Sequence, residues 1–455
     1  TTMPEGDTEF ILNPSNVALN RAYAKAEDPA EVVSSINIHG KYTNTYLNSF
    51  ERFRNGEELT ISFSLKNSAK FESLVAVNTE TREITTLVNS DELSELSIEN
   101  GYYTYKTQMP SYNVEYVVVT KQSEEFVPVL LEKNEEGSFI IRDYEDLRSM
   151  AYFVNTDMDN YVNGNYILAN DIDVLNRELE PIASVKDNSV VFSGTFDGQG
   201  HTISNFKILS SMPSGEASLF GRISGEVKNL KLCGDYTAFN DGVYSVAYVS
   251  GLAKKLHEGA KITNVETNLN YKVEGFKTVV SVTGIAYQAD NNVTIENCIV
   301  NDTVNLPQYN ADYSGFVYNS GSNTTVNFKN CANTSKVNTG EGKYCAGIMY
   351  GATWVNINEN SYVACDFCGD NLAPFAGAIF ANTNVTNSYY LDSCIGEESE
   401  FTELGTSKTI DDFASGEVSY LLNKGVTDET QTWYQNLDDG EETDIYPCFD
   451  GKTVY

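Results

Sequence analysis

Apolar and polar residues along most of this chain alternate over four to eight positions and then stop at Gly, Asn or Asp. That is the period of a half-buried strand. NVTIENCIV and TTVNFKNC show it clearly. Helical repeats would need apolar residues at i, i+3, i+4 and i+7, and these segments lack that spacing.

The alternation is itself repeated. A small or aromatic residue, a Gly and two mostly apolar residues recur as LFGRI, VSGLA, VTGIA, YSGFV, CAGIM and FAGAI, with Gly at 221, 251, 284, 315, 347 and 377. A second pattern, VKNL, ITNV, IENC and FKNC, places Asn229, Asn264, Asn297 and Asn330 at the same period, with weaker copies INEN and VTNS. One strand-rich coil per ~30 residues, stacked on its neighbour, is a solenoid. Stacking puts equivalent residues ~4.8 Å apart, so an Asn at a turn can bond its counterparts above and below. The Gly marks a turn that a side chain would obstruct.

The stretch VFSGTFDGQGHTISNFKI followed by SLFGRISGEVKNLKL resembles the opening of GLUG-repeat β-helix proteins, at Phe192, Gly194, Phe196, Asp197, Gly198, Gly200, His201, Thr202 and Ile203. YILANDIDV resembles the strand that leads into it. Such proteins occur at the surface of, or secreted by, Gram-positive and Bacteroides-type bacteria, including regions beside IgA-protease domains. The resemblance covers roughly 137–400 and implies a right-handed parallel β-helix. The chain departs from the pattern where GLUG repeats carry a second Gly three residues on: Lys254, Tyr287, Tyr318, Tyr350 and Phe380 stand there. ASGEVSYLLNKG, TWYQNLDDG and IYPCFDGKTVY resemble the segment that follows such helices as a cap on the open end.

The expected fold is therefore all-β, in three parts. Residues 1–134 carry no repeat; ELTISFSLKN, LVAVNT, YYTYKTQ and VEYVVVTKQ read as strands of a smaller, Ig-like β-sandwich, with room for a helix near PAEVVSSI. After the linker-like EKNEEGS, residues 137–400 form the β-helix (solenoid). Asp143 can cap a helix whose Leu147, Met150, Ala151 and Val154 share one face, suited to cover the first coil. Residues 401–455 form the terminal cap.

Charge narrows the partners. A formal net charge of −34 repels phosphate backbones, which excludes nucleic acid as the natural ligand. No apolar run is long enough to span a bilayer. TTMPEGDTEF does not read as a leader, so the leader of an exported protein would lie outside this sequence, as further domains could.

Candidate chemistry is sparse. His201 reads as a turn residue between glycine-rich neighbours. Asp171, Asp173 and Asp197 could supply paired carboxylates for a polysaccharide lyase or hydrolase, but each sits where a strand-ending turn needs an Asp. NTDMDNYVNGN, with Asp157, Asp159 and Asn160, lacks the closing Glu of a calcium loop. Cys345, Cys365, Cys368 and Cys394 lack paired zinc-ligand spacing, and Cys298 and Cys331 read as inward-facing, near enough for a disulfide. No catalytic residue, metal or cofactor is expected.

The remaining feature is aromatic: Tyr287, Tyr318, Tyr350 and Phe380 fall in successive coils. Pointing inward they are a core stack, the weightier reading. Pointing outward, Tyr287, Tyr318 and Tyr350 with Trp354 make a stripe for sugar rings or a protein partner. The expectation is an extracellular bacterial adhesin or scaffold, not an enzyme, at the cell surface or secreted. Its partner would be a host or microbial glycan or surface protein; the alternative is a carbohydrate-binding module.

Overall fold

The computed structural model describes residues 19–26, 33–40, 50–65, 69–99, 102–122, 126–184, 190–210, 215–239, 246–320, 324–340, 344–352, 355–357, 359–368, 371–379, 383–395, 404–427, 430–437 and 444–449. Contacts divide the chain into 1–126 and 127–455.

The first unit has two sheets. One runs in the order Phe50–Arg54, Leu19–Ala26, Val114–Gln122, Ala69–Asn78, Ile84–Asn89; the other runs Val33–Gly40, Glu58–Leu65, Tyr102–Gln108, Ser97–Glu99. Ala22, Ala76 and Tyr116 of the first face Ile38, Leu59 and Ile61 of the second across a shared core. Pairings are antiparallel except Leu19–Ala26 with Val114–Gln122. The region near PAEVVSSI contradicts the expected helix from Val33 on, since Val33–Gly40 is a strand; residues 27–32 lie outside the described set. Alternating Ile36 and Ile38 suit a sheet face better than a helical stripe.

The second unit is a parallel β-solenoid. A long sheet stacks strands such as Glu226–Phe239, Lys261–Glu274, Val293–Val300 and Val326–Asn333. Two six-stranded sheets complete each coil, one through Val246–Ser250, Thr278–Thr283 and Asp312–Ser314, the other through Ala253–Leu256, Ala286–Ala289 and Val317–Ser320. Side chains repeat in register: Val227, Ile262, Ile295 and Phe328 form one buried column, and Leu230, Val265, Cys298 and Cys331 another. Cys298 and Cys331 are free thiols, not a disulfide.

Two columns fix the turns. The Asn residues at 229, 264, 297, 330, 360 and 387 all hold left-handed backbone, φ 52°, 54°, 54°, 51°, 65° and 45°. Asn tolerates this region better than most side chains. Their amides link coil to coil: Asn229 donates to Asp197 at 2.9 Å, Asn264 to Asn229 at 2.9 Å, Asn330 to Asn297 at 2.8 Å, Asn360 to Asn330 at 3.1 Å and Asn387 to Asn360 at 2.7 Å. The weaker INEN and VTNS copies thus belong to the same ladder.

The Gly column runs through Gly251, Gly284, Gly315 and Gly347, where a Cβ would meet the next coil's carbonyl oxygen at 2.3, 2.5, 2.1 and 2.2 Å. Here the sequence alignment needs correcting at both ends. Gly347 is followed by Pro374, not Gly377, because Met349 pairs with Ala376. Ser218, not Gly221, precedes Gly251, because Phe220 pairs with Ala253. Shorter and longer connecting loops shift the motif by three residues while the backbone register holds.

The ends are closed differently. Helix Tyr144–Thr156 is capped by Asp143, which accepts from the backbone of Glu145 and Asp146 at 2.9 and 3.0 Å, and it buries Leu147, Met150, Ala151 and Val154. EKNEEGS forms a tight turn, Asn134 accepting from Glu136 and Ser138. At the far end Thr406–Lys408 adds a last parallel strand to Tyr389–Leu391, followed by helices Ile410–Ala414 and Glu417–Leu422. The chain then doubles back along the side of the solenoid.

Between the sheets lies a buried polar chain. Asp302 accepts from the Leu269 backbone at 2.9 Å and from the Tyr271 hydroxyl at 3.4 Å. Ser335 Oγ receives the Asp302 N–H and the Tyr313 hydroxyl, both at 2.9 Å. Burial outweighs these bonds and lifts the Asp302 pKa from 3.8 to about 7.

Two outcomes are expected. Gly315→Ala, whose Cβ would lie 2.1 Å from both the Asn333 amide and the Gly347 carbonyl, should cost about 3 kcal/mol or more in urea unfolding. Because the folded state holds the Asp302 proton more tightly than the unfolded chain, stability should decline from about pH 4 to about pH 7 and level off above. Asp302→Asn should flatten that slope and raise Tm at pH 8; an unchanged slope would count against a neutral Asp302.

Candidate functional site

The aromatic register is real in the geometry. Tyr287, Tyr318 and Tyr350 are paired positions of successive strands and stack ring to ring, with centroids 5.4 and 4.7 Å apart and planes within 15° and 8°. Tyr248 leans on Tyr287 at 4.8 Å and Tyr344 on Tyr350 at 5.4 Å. The rings are half-buried in the corner between the two short sheets, neither inside the core nor standing free. Tyr318 donates to Asp312 Oδ2 at 2.9 Å. Burial, together with the Asp312 charge, pushes the Tyr318 phenol pKa up strongly.

This stacking changes what the stripe can do. Both faces of Tyr318 are covered by neighbouring rings, so it offers an edge and not the face that a sugar ring needs. The register position before Tyr287 is Lys254, which is 7% exposed and paired with Glu216 at 3.0 Å; it does not mark an open surface. The position after Tyr350 is Gly377 and not Phe380, which lies outside the described residues with Trp354.

The acidic residues are tied up in turns. Asp171 accepts from the Thr202 backbone at 2.9 Å and approaches His201 Nδ1 at 3.1 Å; the Thr202 backbone bond leads the lowering of its pKa. Asp173 holds Leu175 and Asn205, and Asp197 holds Gln199 and Asn229. Among the described residues no cluster of His, Cys, Asp and Glu could hold a metal. Cys298 and Cys394 are pushed up to about 12 by burial, which leaves them protonated and unreactive.

The open site lies elsewhere, on the outer face beside the Asn ladder. A cavity of about 380 Å³ runs there, within the range of sites that hold small ligands. Asn229, Asn264 and Asn297 form one wall, and Lys231, Glu266 and Ile299 stand in one outward column. Lys231 and Glu266 pair at 3.1 Å. Phe449 and Thr432 of the returning C-terminal segment close one end.

That column explains the trench. It continues from Ile299 through Ala332 and Tyr362 to Tyr389, turning from charged to aromatic. Where it is aromatic the C-terminal segment covers it: Trp433, fully buried, packs on Tyr362 at 5.3 Å and on Phe449 at 4.5 Å. Where it is charged it stays open. The sequence shows Trp433 only as part of a cap; the trench needs the three-dimensional placement of Thr432 and Phe449.

The fold is that of a parallel β-solenoid protein with a small sheet domain before it. Solved structures similar to this chain include the following two. A Bacteroides ovatus protein provisionally named an immunoglobulin A1 protease is 16% identical, with TM-score 0.45, over 70% of this chain and 93% of its own. A second, IgA1 Protease, is 14% identical with TM-score 0.39, over 86% of this chain and 29% of its own. No family model and no curated protein matches the sequence. Both structures carry an enzyme's name, which contradicts the expected non-catalytic adhesin or scaffold, and that expectation is withdrawn. At such identity and TM-score the names assign no activity to this chain.

If the tyrosine stack is structural, Tyr318→Ala should destabilise the solenoid by about 3 kcal/mol, as large-to-small aromatic changes do. Unchanged denaturant midpoints would instead mark the stripe as a surface the fold does not need.

Proposed function

We propose that this chain captures an extended ligand in the trench beside its Asn ladder, working outside the cell. The trench itself carries the reading: an open cavity with amides along one wall, an ion pair and an apolar side chain along its floor, and an aromatic end. Each ladder Asn uses one N–H or one lone pair toward its neighbour, and a primary amide has more of both, so the wall repeats hydrogen-bonding capacity at the coil spacing. A ligand lying along the axis meets the same chemistry coil after coil. The GLUG-like opening and the strongly acidic composition support an extracellular setting. Capture is independent of whatever chemistry follows it.

A second reading keeps the tyrosine stripe for carbohydrate. Tyr344, 42% exposed, ends the stack, and Gly377 leaves no side chain over the last ring. A glycan would bind there, and not along the covered faces of Tyr287 and Tyr318.

The two readings part in one experiment. Full-length chain is passed over immobilised neutral and acidic glycans and over unfolded polypeptides. Retention reduced about tenfold by Ile299→Lys but not by Tyr344→Ala supports the trench. The reverse supports the stripe. No retention of any polymer, or retention indifferent to both changes, would sink both.

A further inference from the structure

The trench already has one occupant: the protein's own chain. Over the last coils, the outward column at Tyr362 is covered by Trp433 and by the segment around Pro447. The anchor is Trp433, whose indole Nε1 donates to the carbonyl of the ladder residue Asn360 at 3.0 Å while its ring lies against Tyr362. The backbone there is held by one side-chain amide: Asn423 Oδ1 accepts from Thr432 and Trp433, and Asn423 Nδ2 donates to the Trp433 carbonyl. Tyr362 hydroxyl donates to the Pro447 carbonyl, so the covering segment is bound through backbone as well as ring.

Two coils nearer the N-terminal end, the same column holds Ile299, beside Asn297 of the same ladder, and the trench is open. The register makes these sites equivalent: Ile299, Ala332 and Tyr362 are paired positions on adjacent strands, and Asn297, Asn330 and Asn360 are neighbouring rungs. Phe449, which stacks on Trp433 from within the covered stretch, also forms the end wall of the open one. The covered and open stretches are one continuous surface.

Resting on the trench reading above, we infer that the ligand is a polypeptide segment of a partner protein presenting an aromatic residue, which lies over Ile299 as Trp433 lies over Tyr362, its ring edge against Phe449. An aromatic side chain suits the site because it supplies apolar area to Ile299 together with a ring for Phe449. A hydrogen-bond donor on that ring, as in Trp, meets the polar ladder beside it. The Lys231–Glu266 pair at the other end of the trench lets flanking residues of either charge find a counter-ion.

The test uses the full chain and three fluorescent probes: a pool of random hexapeptides with Trp fixed at the third position, the matched pool with Ala there, and cellohexaose. Fluorescence polarisation should show saturable binding of the Trp pool, at least about tenfold tighter than the Ala pool. Ile299→Lys should abolish it. Ile299→Trp, which fills the open stretch with the group that fills the covered one, should abolish it as well. These are changes at a half-exposed outer position, and if one of them lowers the melting temperature the other still decides. Equal binding of the two peptide pools, or binding unmoved by both substitutions, overturns the inference. Cellohexaose binding that is lost in both variants, with no peptide binding, overturns the peptide while the trench survives. If neither class binds, the trench reading falls too.

Discussion

Everything in residues 127–455 depends on each coil lying in register on the next, so that parallel backbone bonds, side-chain columns and turns repeat together. The Gly column shows how strict the constraint is. Four successive turns pass so close to a neighbouring carbonyl that no Cβ fits. The Asn ladder does the complementary job with side chains, taking up left-handed backbone at its turns and tying Asn264 to Asn229 and Asn330, Asn360 and Asn387 each to the rung before. Neither column is separable from the core, because the same register that stacks Asn and Gly stacks Val227, Ile262, Ile295 and Phe328.

Register also explains how an outer surface becomes a site. A column that repeats at every coil would be featureless if its residues were alike. Here it runs from Lys231 through Glu266 and Ile299 to Tyr362, and the chain covers the aromatic stretch with its own C-terminal segment. What is left uncovered is a trench with a defined end. The tyrosine stripe is the contrasting case: its rings satisfy one another, which stabilises the corner and leaves less for a ligand.

Much of the fold was legible in the sequence. Period-two alternation, the Asn spacing and the apolar face of the helix after Asp143 each translate directly into an observed element. The register at the ends was not legible: LFGRI and FAGAI look like further copies of VSGLA, yet loop length moves them three residues out of the Gly column. Of the site, Tyr287, Tyr318 and Tyr350 were found by spacing, but spacing does not say whether a ring shows its face. The trench was invisible, because its end wall comes from Thr432 and Phe449, more than a hundred residues beyond Ile299, and no local pattern marks that return.

The most direct test of coil-on-coil register is cysteine cross-linking on the outer face. Thr294 and Asn327 are in-register partners on adjacent strands, ~4.8 Å apart, inside disulfide range, whereas Thr294 and Lys329 are offset by two residues and lie beyond it. Mild oxidation of Thr294→Cys/Asn327→Cys should give an intramolecular disulfide in the folded protein, and Thr294→Cys/Lys329→Cys should not. Efficient bridging of the offset pair, or none of the in-register pair, would contradict the stacked columns.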